Sequence, residues 1–231
     1  MTEEGWLAAA DAAAMLEFVR DRMSARKLRL FTASCCRLFW DHLNLDEPQA
    51  AIETSERYAD GQATDKELGK ARNAAHNAAW FARYYSEREP GPGEDPIRRR
   101  VFSERLGRAS EEVLRRLYFV AFMANTDQRL RADAMPILTS DPLLARIAPA
   151  LLRDVFGNPF RVVTADPAWL TSTVLALANG VYEEWAFDRM PILADALQEA
   201  GCDNDEILNH CRSPGQHVRG CWAIDLLLGK T

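Results

Sequence analysis

Apolar residues recur at intervals of three and four along nearly the whole chain, and between these runs stand residues that start or stop helices. Asp11 is placed to cap AAAMLEFVRDRM, where Met15, Leu16, Phe18 and Val19 repeat with helical spacing, so a helix is predicted over about 11–23. Ser24 is placed to cap the next, ARKLRLFTASCCRLFWDHL, in which Leu28, Phe31, Cys35, Leu38 and Phe39 share one face. Pro48, preceded by Asp46, suits the first turn of a third helix that ends near Gly61. Thr64 and Glu67 form a capping box at the head of an alanine-rich helix, ELGKARNAAHNAAWFARYYS, where His76 and Trp80 stand one turn apart and are expected to pack together.

Residues 87–96, EREPGPGEDP, carry two glycines and three prolines and cannot continue a helix, which predicts a loop or hinge. Asp95-Pro96 then opens IRRRVFSERLG, Ser110 opens EEVLRRLYFVAFMAN, and a short helical piece follows near 127–134. Asp141-Pro142 starts LLARIAPALLRDVF, which Gly157-Asn158-Pro159 stops. RVVT at 161–164 is the one stretch with strand propensity, and it is too short to make a sheet. Asp166-Pro167 or Thr171 opens STVLALANGVYEEW, Pro191 heads ILADALQEAG, Asp203 or Asp205 heads EILNHC, and VRGCWAIDLLL is the predicted last helix. The predicted fold is all-α: a single domain over 1–231, built as an irregular multi-helix bundle or a short helical solenoid. No fixed repeat period supports a regular array.

Composition narrows the function classes. Net charge is -6, from 28 basic and 34 acidic residues, which opposes a nucleic-acid-binding face. The arginine run 98–100 lies among glutamates and is expected to be a solvated, ion-paired face. No apolar run is long enough to span a bilayer, and the acidic start, TEEGWL, does not resemble a secretory leader. A cytoplasmic, reducing location is expected, with free thiols, consistent with the odd count of 5 cysteines.

Candidate chemistry concentrates in residues 201–231, GCDNDEILNHCRSPGQHVRGCWAIDLLLGKT, which hold three cysteines and two histidines. A zinc site would draw its ligands from Cys202, His210, Cys211, His217 and Cys221, since zinc takes four nitrogen and sulfur donors in a tetrahedron. His217 and Cys221 are four apart, on one face if the last helix already begins at His217. The spacing matches no standard finger or ribbon. Alternatively the cysteines fill small gaps in the core, or Cys211 or Cys221 is a reactive thiol, with Arg219 and His217 beside Cys221 to lower its pKa. The carboxylates Glu183, Glu184, Asp188, Asp195 and Glu199 lack the Glu-x-x-His pairs of a di-metal bundle. There is no P-loop, GxGxxG, GxSxG or HExxH.

The tail PILADALQEAGCDNDEILNHCRSPGQHVRGCWAIDLLLGK resembles the C-terminal signature of an uncharacterised bacterial protein family. EGWLAAAD, RKLRLFTASCCRLFWDHL and LLRDVFGNPFRVVTADPAWL resemble the same family's N-terminal and central signatures. The resemblance covers most of the chain and implies one cooperative unit, but no activity. It also leaves open a site shared between the Cys35-Cys36 segment, with His42, and the tail.

Three functions compete at this level. The first is a non-enzymatic helical interaction or regulatory module with a protein partner. The second is a zinc-binding protein using the tail, and the third a thiol-dependent enzyme or redox sensor.

Overall fold

The computed structural model describes residues 1–40, 46–87 and 142–230, and it is all-α: among these residues there is no strand. The helices are α1 (Glu3–Ala8), α2 (Ala12–Val19), α3 (Ala25–Arg37), α4 (Asp46–Ala59), α5 (Asp65–Glu87), α6 (Pro142–Phe156), α7 (Ser172–Glu183), α8 (Met190–Glu199), α9 (Asp205–Arg212) and α10 (Trp222–Leu228). None is long and apolar enough to cross a membrane. The expected hinge after Glu87, the arginine run and the helices predicted over 96–134 lie outside the described residues, as does His42.

The chain divides into two compact units, one formed by Met1–Phe31 with Leu138–Thr231, the other by Thr32–Ile137. In the second unit α4 and α5 pack together as a helical hairpin. The capping box forms as predicted: Glu67 Oε2 accepts from the Thr64 backbone N–H at 2.8 Å, and Thr64 Oγ1 accepts from the Glu67 N–H at 3.3 Å. Buried Glu56 holds Arg37 through two hydrogen bonds of 2.6 and 2.7 Å. His76 and Trp80 do not form a buried pair: His76 is exposed and Trp80 is 48% exposed. Cys35 and Cys36 are fully buried, and burial raises both thiol pKa values.

The first unit holds the candidate chemistry. Asp11 Oδ1 accepts from the N–H groups of Ala13 and Ala14, and Ser24 Oγ from that of Lys27, so both predicted caps are made. The helix predicted over 11–23 is shorter than expected; α2 ends at Val19 and tightens into a 3₁₀ turn over Arg20–Arg22. Asp166 and Thr171 both act as caps, the first on a 3₁₀ turn at Pro167–Trp169 and the second on α7. Asn204, rather than either neighbouring aspartate, caps α9. Helices α7 to α10 surround one core with Tyr182, Leu193, Leu197, Ile207, Cys211 and Ile224 in its centre.

Two long-range polar ties hold the N-terminal helices in place, one to α6 and one to α10. Trp6 Nε1 donates to Gly157 O at 3.0 Å, and Arg153 returns from α6 to donate to the carbonyls of Trp6 and Ala9 at the end of α1. Asp225 on α10, 2% exposed, receives Arg26 at 2.7 and 3.0 Å and Lys27 at 2.6 Å. Arg26 also donates to Tyr182 Oη, and Lys27 to the carbonyls of Val155 and Gly220. The cationic head of Lys27 thus joins α3, the end of α6 and the turn before α10.

Candidate metal centre

The predicted last helix begins four residues later than expected. Residues 213–221 are irregular, with a turn closed by Cys221 N–H on Val218 O at 2.9 Å. Gly220 makes that turn at φ +88°, a conformation a side chain resists. A Cβ there would also meet Leu30 Cδ1 at 2.9 Å, so glycine is required twice over. Cys221 becomes the N-cap of α10, and His217 lies in the loop. The helical i,i+4 relation expected of this pair does not exist; the turn brings them together instead.

The partner that completes the cluster is Asp154 of α6. Ligand atoms of Asp154, His210, His217 and Cys221 all lie within 4.8 Å of one another. His210 Nε2 is 3.1 Å from Cys221 Sγ and 3.2 Å from Asp154 Oδ1, and His217 Nδ1 is 2.7 Å from the same Oδ1. The other carboxylate oxygen, Oδ2, accepts the Val218 backbone N–H at 2.9 Å, which fixes the carboxylate to the loop that carries His217. The two imidazoles pack edge to face at 4.8 Å, with Trp222 against His210 at 5.0 Å. Three separate pieces of chain therefore supply the four groups: α6, α9, and the turn into α10.

The site is dry. Side-chain exposure is 4% for Asp154, 5% for His217 and 18% for His210, and Cys221 is fully buried. Burial pushes the Asp154 carboxyl up, but hydrogen bonds with His210 and His217 outweigh it and hold the group below the usual carboxylate range. Cys221 moves the other way: burial, then the Asp154 carboxylate, drives its thiol well above the ordinary value.

The polar groups do not satisfy one another. His210 Nε2 faces both a sulfur and a carboxylate oxygen, and one ring nitrogen carries either one proton or one lone pair. His217 Nε2 is buried without a partner. A cation held by Asp154 Oδ1, His210 Nε2, His217 Nδ1 and Cys221 Sγ would resolve the doubly claimed nitrogen, while leaving His217 Nε2 on the far side of its ring. Tetrahedral zinc with bonds near 2.0–2.3 Å would place its ligand atoms roughly 3.3–3.8 Å apart, and the observed separations bracket that range.

A thiol nucleophile fits less well. In a Cys-His-carboxylate relay the thiol takes one imidazole nitrogen and the carboxylate orients the other. Here Asp154 meets the same nitrogen of His210 that meets Cys221. A fully buried thiol with a raised pKa is also a poor nucleophile.

Three of the five tail residues singled out from sequence, His210, His217 and Cys221, belong to this group. Cys202 and Cys211 lie in the adjacent core and are not among the four. Burial raises both thiols, Cys211 to about 12. The exposed carboxylates 183, 184, 188, 195 and 199 make no cluster among the described residues; Glu183 pairs with Arg219, Glu184 with Arg189 and Asp195 with Arg212. No protein-family model, curated protein or solved structure matches the chain.

Proposed function

We propose that this is a zinc-binding helical protein whose metal staples the C-terminal layer of helices. The supporting observation is the convergence of Asp154, His210, His217 and Cys221 within 4.8 Å, from three segments, with His210 Nε2 claimed by both the Cys221 sulfur and an Asp154 oxygen. The donor set of two nitrogens, one oxygen and one sulfur suits a borderline-soft ion. Four protein ligands fill a tetrahedron, and such closed sites serve structure, whereas catalytic zinc keeps one position for water. Binding would convert the Cys221 thiol to thiolate and offset the cost of burying the Asp154 charge. The role that follows is a rigid helical scaffold for protein interaction rather than a catalyst.

Cobalt substitution tests the ligand set. The Co(II) protein should show the intense visible bands of tetrahedral coordination together with a sulfur-to-cobalt charge-transfer band. Cys221→Ser should abolish that charge-transfer band. Weak octahedral bands, or a sulfur band that survives Cys221→Ser and vanishes in Cys211→Ser, would overturn the assignment.

A further inference from the structure

A cleft of about 830 Å³ opens in the first unit between α1, the end of α2, the segment after α6 and the outer face of α10. That volume lies within the range of small-molecule sites. Its apolar lining includes Trp6, Leu7, Val163, Trp222 and Leu226. Its charge is opposite to the protein's: five cationic side chains line it against three carboxylates, in a chain of net charge -6.

The partners of these charges decide what the cleft can take. Lys27 is committed to Asp225 and two carbonyls, and Arg161 lies between Glu3 and Glu206, at 2.5 Å from each. Arg22 and Arg153 are different. Arg22 donates to Pro159 O and lies 5.1 Å from the centre of the Phe18 ring, while Arg153 donates to the carbonyls of Trp6 and Ala9. Among the described residues neither meets a carboxylate within ion-pair distance. Phe18 connects them: its ring is 5.1 Å from that of Phe160 and 6.2 Å from that of Trp6, whose carbonyl Arg153 holds. Two guanidinium groups with no described carboxylate at ion-pair distance thus line the cleft together with the aromatic rings of Trp6 and Trp222.

We propose that this cleft binds a small anion, a carboxylate, sulfonate or phosphate, that carries a flat apolar body. Arginine presents paired donors suited to such oxyanions, and a low-dielectric wall strengthens the attraction. The ring-bearing part lies against Trp222 and Leu226, and the anion faces Arg22 and Arg153. This site is separate from the metal centre; only the partly exposed edge of His210 belongs to both.

The probe is 1-anilinonaphthalene-8-sulfonate, titrated by fluorescence into the full, untagged chain as isolated. N-phenyl-1-naphthylamine, which has the same ring systems and no sulfonate, is the neutral comparison. Binding should saturate near one probe per chain, with the neutral probe at least roughly tenfold weaker, the effect of losing one charged hydrogen bond. Arg22 is exposed, so Arg22→Glu retains the fold and should weaken the anionic probe by about tenfold or more. Arg189→Glu, an equal charge reversal outside the cleft, should leave binding unchanged. Non-saturating binding, equal affinity for the two probes, or equal losses in the two variants would overturn the proposal.

Discussion

Asp225→Asn removes one charge from the interior and almost no volume. In the native protein Asp225 is 2% exposed and receives Arg26 and Lys27, themselves 12% and 15% exposed, at 2.6–3.0 Å. An amide retains the shape but removes the buried negative charge that both cations face. Removing one member of a buried ion pair costs about 3–5 kcal/mol. Arg26 keeps the Tyr182 hydroxyl and Lys27 keeps the carbonyls of Val155 and Gly220. The expected loss therefore lies at the lower end, ~3 kcal/mol. For a protein of this size that corresponds to a fall in Tm of roughly 6–12 °C. Urea unfolding followed by circular dichroism measures it, with the slope of the transition unchanged. The exposed pair Arg189–Glu184 supplies the comparison: Glu184→Gln should cost less than about 1 kcal/mol. If Asp225→Asn costs no more than the surface variant, the claim that this carboxylate joins α3 to α10 is wrong.

Other consequences are narrower. Gly220→Ala should destabilise by ~2 kcal/mol or more, because φ is +88° and the new Cβ lies 2.9 Å from Leu30 Cδ1; thermal unfolding showing a loss under half that would place the strain elsewhere. Thr64→Ala should cost about 1 kcal/mol by opening the capping box at the start of α5, measured by chemical denaturation. All five cysteines are buried and free, so the native protein should react slowly with a thiol reagent, and chelation should expose Cys221 to labelling first; rapid labelling before chelation would contradict its burial. A chelator should lower Tm by roughly 8–16 °C if zinc was present at about a thousandfold over its Kd, since that excess is worth ~4 kcal/mol.

The fold was legible because helix boundaries are chemical events near in sequence. Asp11, Ser24, Thr64 with Glu67, Thr171 and the Gly157 stop all do locally what their residue types allow. The candidate site was legible only in part. Its three tail members drew notice as metal-capable side chains crowded into a short stretch. Asp154 did not, because a single aspartate on a helix ordinarily faces water. One signal was available: Asp154 follows Leu151 by three residues and adjoins Val155, on the stripe that α6 buries. A charged residue inside an apolar stripe needs a partner, and this one finds it more than fifty residues away in the loop at 217–221. The loop itself was misread as helix because Val218, Cys221 and Trp222 repeat at helical spacing, whereas Gly220 at positive φ ends that register. The salt-bridge hub at Asp225 left no trace in sequence, since its partner Arg26 lies 199 residues away along the chain, with Lys27 next to it, and only the packing of α3 on α10 unites them.

The most direct measurement is elemental analysis of untagged wild-type protein beside Asp154→Asn, Cys221→Ser and Cys211→Ser. The account predicts about one zinc per chain in the wild type and in Cys211→Ser, and loss of metal in the other two. No bound metal in the wild type, or retention in Asp154→Asn with loss in Cys211→Ser, would contradict it.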